Sequence, residues 1–133
     1  MRRLNERGAS AVEFALLLPV LMLILFGIIE FGMVMYSREV LTNASREGAR
    51  AGIVQQTPKP NAGDIQNVVT NYLSGTGITM ANVTLPIGVV GAGGVFPNNL
   101  TVTVQYRYDF FVPVLLNLGT SINLTAQTVM RHE

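Results

Sequence analysis

The feature that most constrains this sequence is an apolar run over residues 14–29 that contains no charged residue. An α-helix rises about 1.5 Å per residue, so roughly 20 residues are needed to cross a hydrocarbon layer of about 30 Å. The run alone is too short, and a membrane helix here must include Glu13 at one end or extend through Glu30 towards Tyr36 at the other. Either choice places a carboxylate at or below the membrane surface, where it costs on the order of 2 to 3 kcal/mol and marks a functional site by default.

A secretory signal peptide would also have a basic start and an apolar middle, but its small-residue cleavage site follows the apolar run. Here the small residues, at positions 9–11, precede the run, and residues 32–36 behind it make a poor exit site. We therefore expect the apolar run to stay in the mature protein.

The residues before the run resemble the processing site of type IV prepilins, because Gly8 is followed by Ala9 and Glu13 is the fifth residue after the glycine. A more specific resemblance is to the TadE-like pseudopilins of the tight adherence (Flp) pilus system. It is carried by three blocks: ERGASAVEFA at residues 6–15, leading to Pro19, GIIEFG at residues 27–32, and LTNASREGARA at residues 41–51. The resemblance covers residues 6–52, and beyond them only the order of helix and strands is similar.

The resemblance implies that a prepilin peptidase removes the basic leader, residues 1–8, and leaves Ala9 as the new N-terminus. It implies that Glu13 then pairs with the Ala9 amine of an adjoining subunit, and that an assembly platform extrudes the helix into a bundle. It also implies a single pass through the inner (cytoplasmic) membrane, with the leader in the cytoplasm and the C-terminal part outside. Charge counting does not settle this orientation, because arginines lie on both sides of the run.

Two further residues of the helix are predicted assembly contacts. Pro19 has no N–H and is expected to kink or loosen the helix, either as an ordinary kink or as a point that melts when the helix packs into a filament. Glu30 lies about 100° around the helix from Glu13, so the two carboxylates do not form one acid/base site. We interpret Glu30 as a contact to a partner helix or to a basic group on one; the alternative is a plain interfacial position near the outer surface of the membrane.

The helix is predicted to continue beyond the membrane over residues 37–54, because its apolar and charged residues fall on opposite faces. Ala44, Gly48 and Gly52 recur at four-residue spacing on the apolar face, which lets another chain segment approach closely. That segment is either the protein's own sheet or a neighbouring subunit's helix.

A linker over residues 55–63 contains two prolines and ends this helix. Asn61 or Asp64 then provides an N-cap for a short amphipathic helix that Gly75 and Gly77 end. Its apolar residues recur at helical spacing: Ile65, Val68, Val69, Tyr72 and Leu73.

Three segments alternate between apolar and polar residues, as half-buried strands do. Their apolar residues are Val83, Leu85, Ile87 and Val89; Leu100, Val102, Val104, Tyr106 and Tyr108; and Ile122, Leu124 and Ala126. Antiparallel sheets commonly have one solvated face. We therefore predict an α+β, pilin-like fold in which a small antiparallel sheet and a short helix pack on the outer half of the long N-terminal helix.

The connection before the third strand is an apolar cluster at residues 110–116. It is expected to fold back over the core, and the alternative is a patch that contacts lipid headgroups or a partner subunit.

The composition argues against most other functions. A net charge of +1 predicts no nucleic-acid partner, and the absence of cysteine excludes disulfides and thiolate metal sites. His132 is the only histidine and is expected to be solvated at the tail. No serine lies in a nucleophile-elbow pattern, and the glycines at 91–94 lack the Lys-Ser/Thr of a phosphate-binding loop. We expect no enzymatic activity, cofactor or metal.

The sequence thus predicts a leader at residues 1–8, a transmembrane helix at 9–36, its continuation at 37–54 and an α+β outer domain at 61–133. The predicted function is a pseudopilin or minor pilin, with lipid, other pilin subunits, the peptidase and the assembly platform as partners. The alternatives are the main subunit of a pilus filament and a permanently membrane-anchored binding module.

Overall fold

The structure is a computed structural model that describes residues 2–111 and 119–132, with side chains from Gly8 onward. It contains helix α1 (Arg2–Ile53), helix α2 (Ala62–Ser74), a short 3-10 turn (Met80–Asn82) and strands β1 (Gly88–Val90), β2 (Asn99–Asp109) and β3 (Ser121–Arg131). The predicted α+β arrangement is confirmed. We call the described residues between 61 and 132 the head.

Helix α1 has 52 residues and continues through Pro19 without a break, a length of about 78 Å at the usual rise per residue. It is the one described helix that is long and apolar enough to cross a membrane, and the apolar window that qualifies it has no buried residue. Glu30 is the first residue of α1, among those with described side chains, that is buried. The head therefore contacts α1 six residues before the predicted end of the transmembrane segment, and residues 30–36 lie at the level of the head.

The sheet has the order β1-β2-β3 and is antiparallel throughout. Strands β2 and β3 pair along their full length, from Asn99 opposite Arg131 to Asp109 opposite Ser121. The five predicted inward residues of β2 are all buried: Leu100, Val102, Val104, Tyr106 and Tyr108. In β3, Leu124 and Ala126 are buried as predicted, but Ile122, which lies opposite the buried Tyr108, is 43% exposed.

The first predicted strand is much shorter than the alternation indicated. Only Gly88–Val90 pairs with β2, Val83 makes a single bridge to Tyr106, and Leu85 is exposed. Pro86 lies between these pairings and has no N–H to donate to a ladder. The proline therefore explains why the pairing does not extend from Val83 to Val89.

Helix α2 begins and ends where the sequence predicted. The Asn61 side chain accepts from the Asp64 N–H at 3.1 Å, and the Asp64 carboxylate accepts from the Asn61 N–H at 3.0 Å, a reciprocal capping box. Gly75 follows the last turn. Ile65, Val69 and Leu73 are fully buried, so α2 places one apolar stripe against the core.

The core lies between the upper half of α1, α2 and the inner face of the sheet. Strand β2 runs antiparallel to α1, because Leu100 lies next to Gly52 near the end of α1 while Tyr108 contacts Glu30. Glu30 and Gly52 are 22 positions apart, which corresponds to about 33 Å of helix. The head thus covers α1 over this length and leaves the preceding residues uncovered.

Candidate functional site

The uncovered part of α1, residues 8–29, is what we call the anchor segment. Its large apolar side chains are exposed on all sides of the helix, for example Phe14 at 60% and Leu16 at 73%. A helix that is apolar all round is stable only when lipid or other helices surround it. The anchor segment therefore needs an apolar environment that the described part of this chain does not provide.

Gly8 and Ala9 lie within α1, and both are exposed. A Cβ built on Gly8 meets no described atom within 4 Å. Glycine within a helix costs about 1 kcal/mol relative to alanine. Nothing in the packing of the described residues requires a glycine at position 8, so the fold does not explain the residue.

Glu13 is exposed on the anchor segment and has no hydrogen-bond or ion-pair partner among the described residues. It lies about 6 Å along the helix axis from Ala9 and about 25 Å from Glu30. The structure therefore does not bring the two glutamates together. Pro19 is also exposed, between these two levels.

Glu30 is buried at the junction between the anchor segment and the head, where it is 3% exposed. The Tyr108 hydroxyl donates to its Oε1 at 2.8 Å, and the Phe111 N–H lies 3.1 Å from both carboxylate oxygens. A buried carboxylate is tolerated when donors of this kind satisfy it. We call these three residues the junction cluster.

Tyr108 is itself buried and has a perturbed acidity. Burial, followed by its hydrogen bond to Glu30, raises the pKa of Tyr108 to about 12. Its ring packs edge-on against Phe110, with centroids 5.8 Å apart. The phenol is therefore held as a neutral donor to the carboxylate.

The two donors to Glu30 described above come from the protein's own head, from a tyrosine hydroxyl and a backbone N–H. Ser37 and Val34, which share its helix face, also pack towards the head: Ser37 is 6% exposed and Val34 is packed against the core. A contact between Glu30 and another subunit remains a prediction.

The small residues at four-residue spacing pack against the head. Ala44 is fully buried. A Cβ on Gly48 would overlap Val69 of α2, and one on Gly52 would overlap Leu100 of β2 and lie 2.6 Å from the Ile65 Cδ1. Of the two segments that the sequence left open, the described chain places its own head here, with α2 contributing as well as the sheet.

Sequence reasoning missed two members of the junction cluster. A buried tyrosine hydroxyl usually has a hydrogen-bond partner. Because the alternation places Tyr108 on the inner face of β2, it could have predicted a polar partner on α1. The Phe111 N–H carries no sequence signal, because any residue except proline offers one. The predicted apolar cluster at 110–116 lies mostly outside the described residues: Phe110 packs against the core, Phe111 is exposed, and residues 112–116 are not described.

The expectation that His132 is solvated was wrong. It is 3% exposed, its ring Nε2 lies 2.8 Å from the Gly91 carbonyl oxygen, and its backbone N–H donates to Asn98. A Cβ on Gly94 would lie 2.9 Å from the same Nε2. The turn that contains these glycines thus leaves room for the ring at the end of the sheet farthest from the anchor segment.

Comparison with protein families gives a match over the N-terminal part of the chain. The model of the family described as TadE-like protein matches residues 8–50. This range contains the anchor segment, Glu30 and Gly48, so the family resemblance predicted from the sequence is confirmed there. No curated protein and no solved structure matches the chain.

Proposed function

We propose that this chain, whose residues 8–50 match the TadE-like family, is a Tad pilus-associated pseudopilin or minor pilin that a prepilin peptidase cleaves between Gly8 and Ala9. Its role is structural rather than catalytic. Its partners are membrane lipid, other pilin-like subunits, the peptidase and the assembly platform, and nucleic acid is not among them. It crosses the inner membrane once, with the N-terminus in the cytoplasm and the head outside.

The observation that carries the proposal is the position of Glu13. It is a carboxylate without a described partner on an otherwise apolar, uncovered helix, one turn after Ala9. Cleavage after Gly8 converts the Ala9 nitrogen into an amine that is largely protonated at neutral pH. A carboxylate and an ammonium that meet in lipid avoid two unpaired buried charges, and such pairs specify register more reliably than they add stability.

The pair also sets the relative height of two subunits. If Glu13 of one subunit lies level with the Ala9 amine of the next, their helices are offset by about 6 Å along the axis, within the reach of a glutamate side chain. The exposed anchor segments supply the apolar surfaces that come together around this pair. Proline at position 19 then lies inside the helix bundle, about 9 Å from Glu13 along the axis.

The test is the N-terminal residue of the mature protein, determined by mass spectrometry in a host that owns the peptidase. The Gly8→Ala variant should retain residues 1–8, while the unmodified chain should start at Ala9. Gly32→Ala is the matched control, because a Cβ at Gly32 also meets no described atom within 4 Å. An unmodified chain that keeps Met1 or Arg2 contradicts the proposal.

The proposal differs from its two alternatives in measurable ways. A main filament subunit would be a dominant band in sheared surface material, whereas a minor pilin would be a trace component there. A permanently anchored binding module would keep its leader and remain in the membrane fraction.

A further inference from the structure

The end of the head nearest the anchor segment carries an exposed aromatic side chain at a fixed height. Phe111 is 77% exposed, more than any other large apolar residue described in the head. Its N–H is nevertheless bound to both oxygens of Glu30 at 3.1 Å. The backbone of Phe111 is therefore held at the level of Glu30 on α1, while its ring points away from the core.

That level coincides with the expected boundary of the hydrocarbon layer. The twenty residues from position 10 to position 29 span about 30 Å as a helix, which is the thickness of the layer. None of them is buried against the head. If they cross the bilayer, Glu30 lies at its outer boundary, and so does Phe111. Phe31, which is 66% exposed, is at the same height on α1.

The neighbouring polar groups suit the lipid headgroup region. Arg107 and Asp109 form an ion pair at 3.0 Å and remain 60% and 45% exposed. The Asn82 amide donates to the Asp109 carboxylate at 2.9 Å. These groups lie at the same end of β2 as Phe111, so paired, exposed charges lie within four residues of the exposed aromatic ring.

A groove between α1 and the head opens at this end. Its volume is about 490 Å³, and its walls include Met33, Tyr36 and Phe111. Met33 and Tyr36 follow the exposed Ile29 of the anchor segment by four and seven residues, so they share a helix face with it. A lipid surface that surrounds the anchor segment up to Glu30 would reach Phe111, which lies at the same level.

We infer that the head rests on the outer surface of the bilayer, with the Phe111 ring inserted at the boundary between headgroups and acyl chains and the junction cluster fixing its depth. The partner is the phospholipid surface. A second copy of the chain is the rival occupant. The length of the anchor segment places the lipid surface at this height, but no observation places a second copy there. The inference rests on the proposed function in one respect, namely that the anchor segment spans the membrane.

The chain contains no tryptophan, so a single introduced tryptophan reports its own surroundings. The full chain is reconstituted in phosphatidylcholine vesicles whose acyl chains carry bromine either near the headgroup or near the chain end, because bromine quenches tryptophan emission at short range. Three variants are compared: Phe111→Trp at the junction, Phe96→Trp at the far end of the head, and Leu21→Trp in the anchor segment. All three positions are exposed, Phe96 at 63% and Leu21 at 52%.

The Phe111→Trp variant should lose emission, and more of it with the shallow bromines than with the deep ones. Leu21→Trp should show the opposite depth preference, and Phe96→Trp should show no quenching. If Leu21→Trp is quenched and Phe111→Trp is not, the inference is wrong and the membrane span stands. If Leu21→Trp is not quenched, the membrane span of the proposed function is itself wrong.

Two other outcomes also overturn the inference. Equal quenching of Phe111→Trp and Phe96→Trp would mean that the head lies flat on the membrane. A blue-shifted Phe111→Trp emission that bromine does not quench, and that depends on the ratio of protein to lipid, would mean that a second copy covers the site. Phe111→Cys gives an independent reading, since the chain has no cysteine: its reaction with a membrane-impermeant thiol reagent should be slower in vesicles than that of Phe96→Cys.

Discussion

The Tyr108 hydroxyl donates to the Glu30 Oε1 at 2.8 Å, and the two residues are 78 positions apart in the sequence. This bond joins the C-terminal end of β2 to the first residue of α1 that the head buries. Because the carboxylate also accepts from the Phe111 N–H, the position of the head along the helix is set at this junction.

We expect Tyr108→Phe to destabilise the head. The variant keeps the ring packing and removes one hydrogen bond to a buried carboxylate, a loss of about 1.5–3 kcal/mol. Denaturant titration of the full chain in detergent micelles, followed by circular dichroism, gives the free energy of unfolding and so measures this loss. Tyr106→Phe is the matched control, because Tyr106 is a buried neighbour on the same strand with no hydrogen bond from its hydroxyl among the described residues. Equal losses in the two variants would show that the bond to Glu30 contributes nothing specific.

Stability should fall at high pH through Tyr108. Its pKa is raised from 10.0 to about 12 in the folded protein, so the folded state holds the phenolic proton more tightly than the unfolded state does. The stabilisation is fully present below pH 10 and is lost as the pH rises through about 12. The free energy of unfolding measured across this window should decline less in Tyr108→Phe than in the unmodified chain. Parallel pH profiles for the two proteins would contradict the prediction.

Gly52→Ala should weaken the contact between α1 and the head. A Cβ there would overlap Leu100 and lie 2.6 Å from the Ile65 Cδ1, and overpacking of this kind costs about 1–3 kcal/mol. The same change at Gly32, where the space is open, should be neutral or should stabilise α1 by up to about 1 kcal/mol through helix propensity. Thermal unfolding of both variants compares the two positions. A Gly52→Ala variant as stable as Gly32→Ala would show that the close approach is easily relieved.

Glu13→Ala should abolish pilus assembly while leaving cleavage and membrane insertion largely intact. The variant removes the carboxylate that we propose meets the Ala9 amine of an adjoining subunit, and it makes the anchor segment more apolar rather than less. Electron microscopy counts the pili, and membrane fractionation with N-terminal mass spectrometry monitors insertion and cleavage. Glu39→Ala, which removes an exposed glutamate beside the head, is the control and should assemble normally. Normal piliation in the Glu13→Ala variant would show that assembly does not need Glu13 to pair with the Ala9 amine.

Much of the fold could be predicted because it follows from local patterns. The alternation from Leu100 to Tyr108 specified the inner face of β2, and the pair Asn61 and Asp64 specified the start of α2. The family of residues 8–50 could be recognised because the glycine, the glutamate and the apolar run occur at a distinctive spacing.

The remainder depends on contacts between residues that are distant in the sequence. His132 was predicted to be solvated because it is next to the last residue, and only the folded glycine turn shows that its ring is buried against Gly91. The shortness of β1 depends on how Pro86 interrupts one specific ladder. The donors to Glu30 depend on the direction in which β2 runs along α1, which alternation alone does not specify.

The antiparallel course of β2 along α1 has a mechanical consequence. The strand is fixed to the helix at both ends, by Tyr108 on Glu30 and by Leu100 beside Gly52, and the Ser45 hydroxyl meets the Thr128 hydroxyl of β3 at 2.7 Å between them. Tension along the helix therefore loads all of these contacts simultaneously, in shear, instead of peeling them apart one by one. A force applied to the head is therefore transmitted to the anchor segment through all of these contacts together.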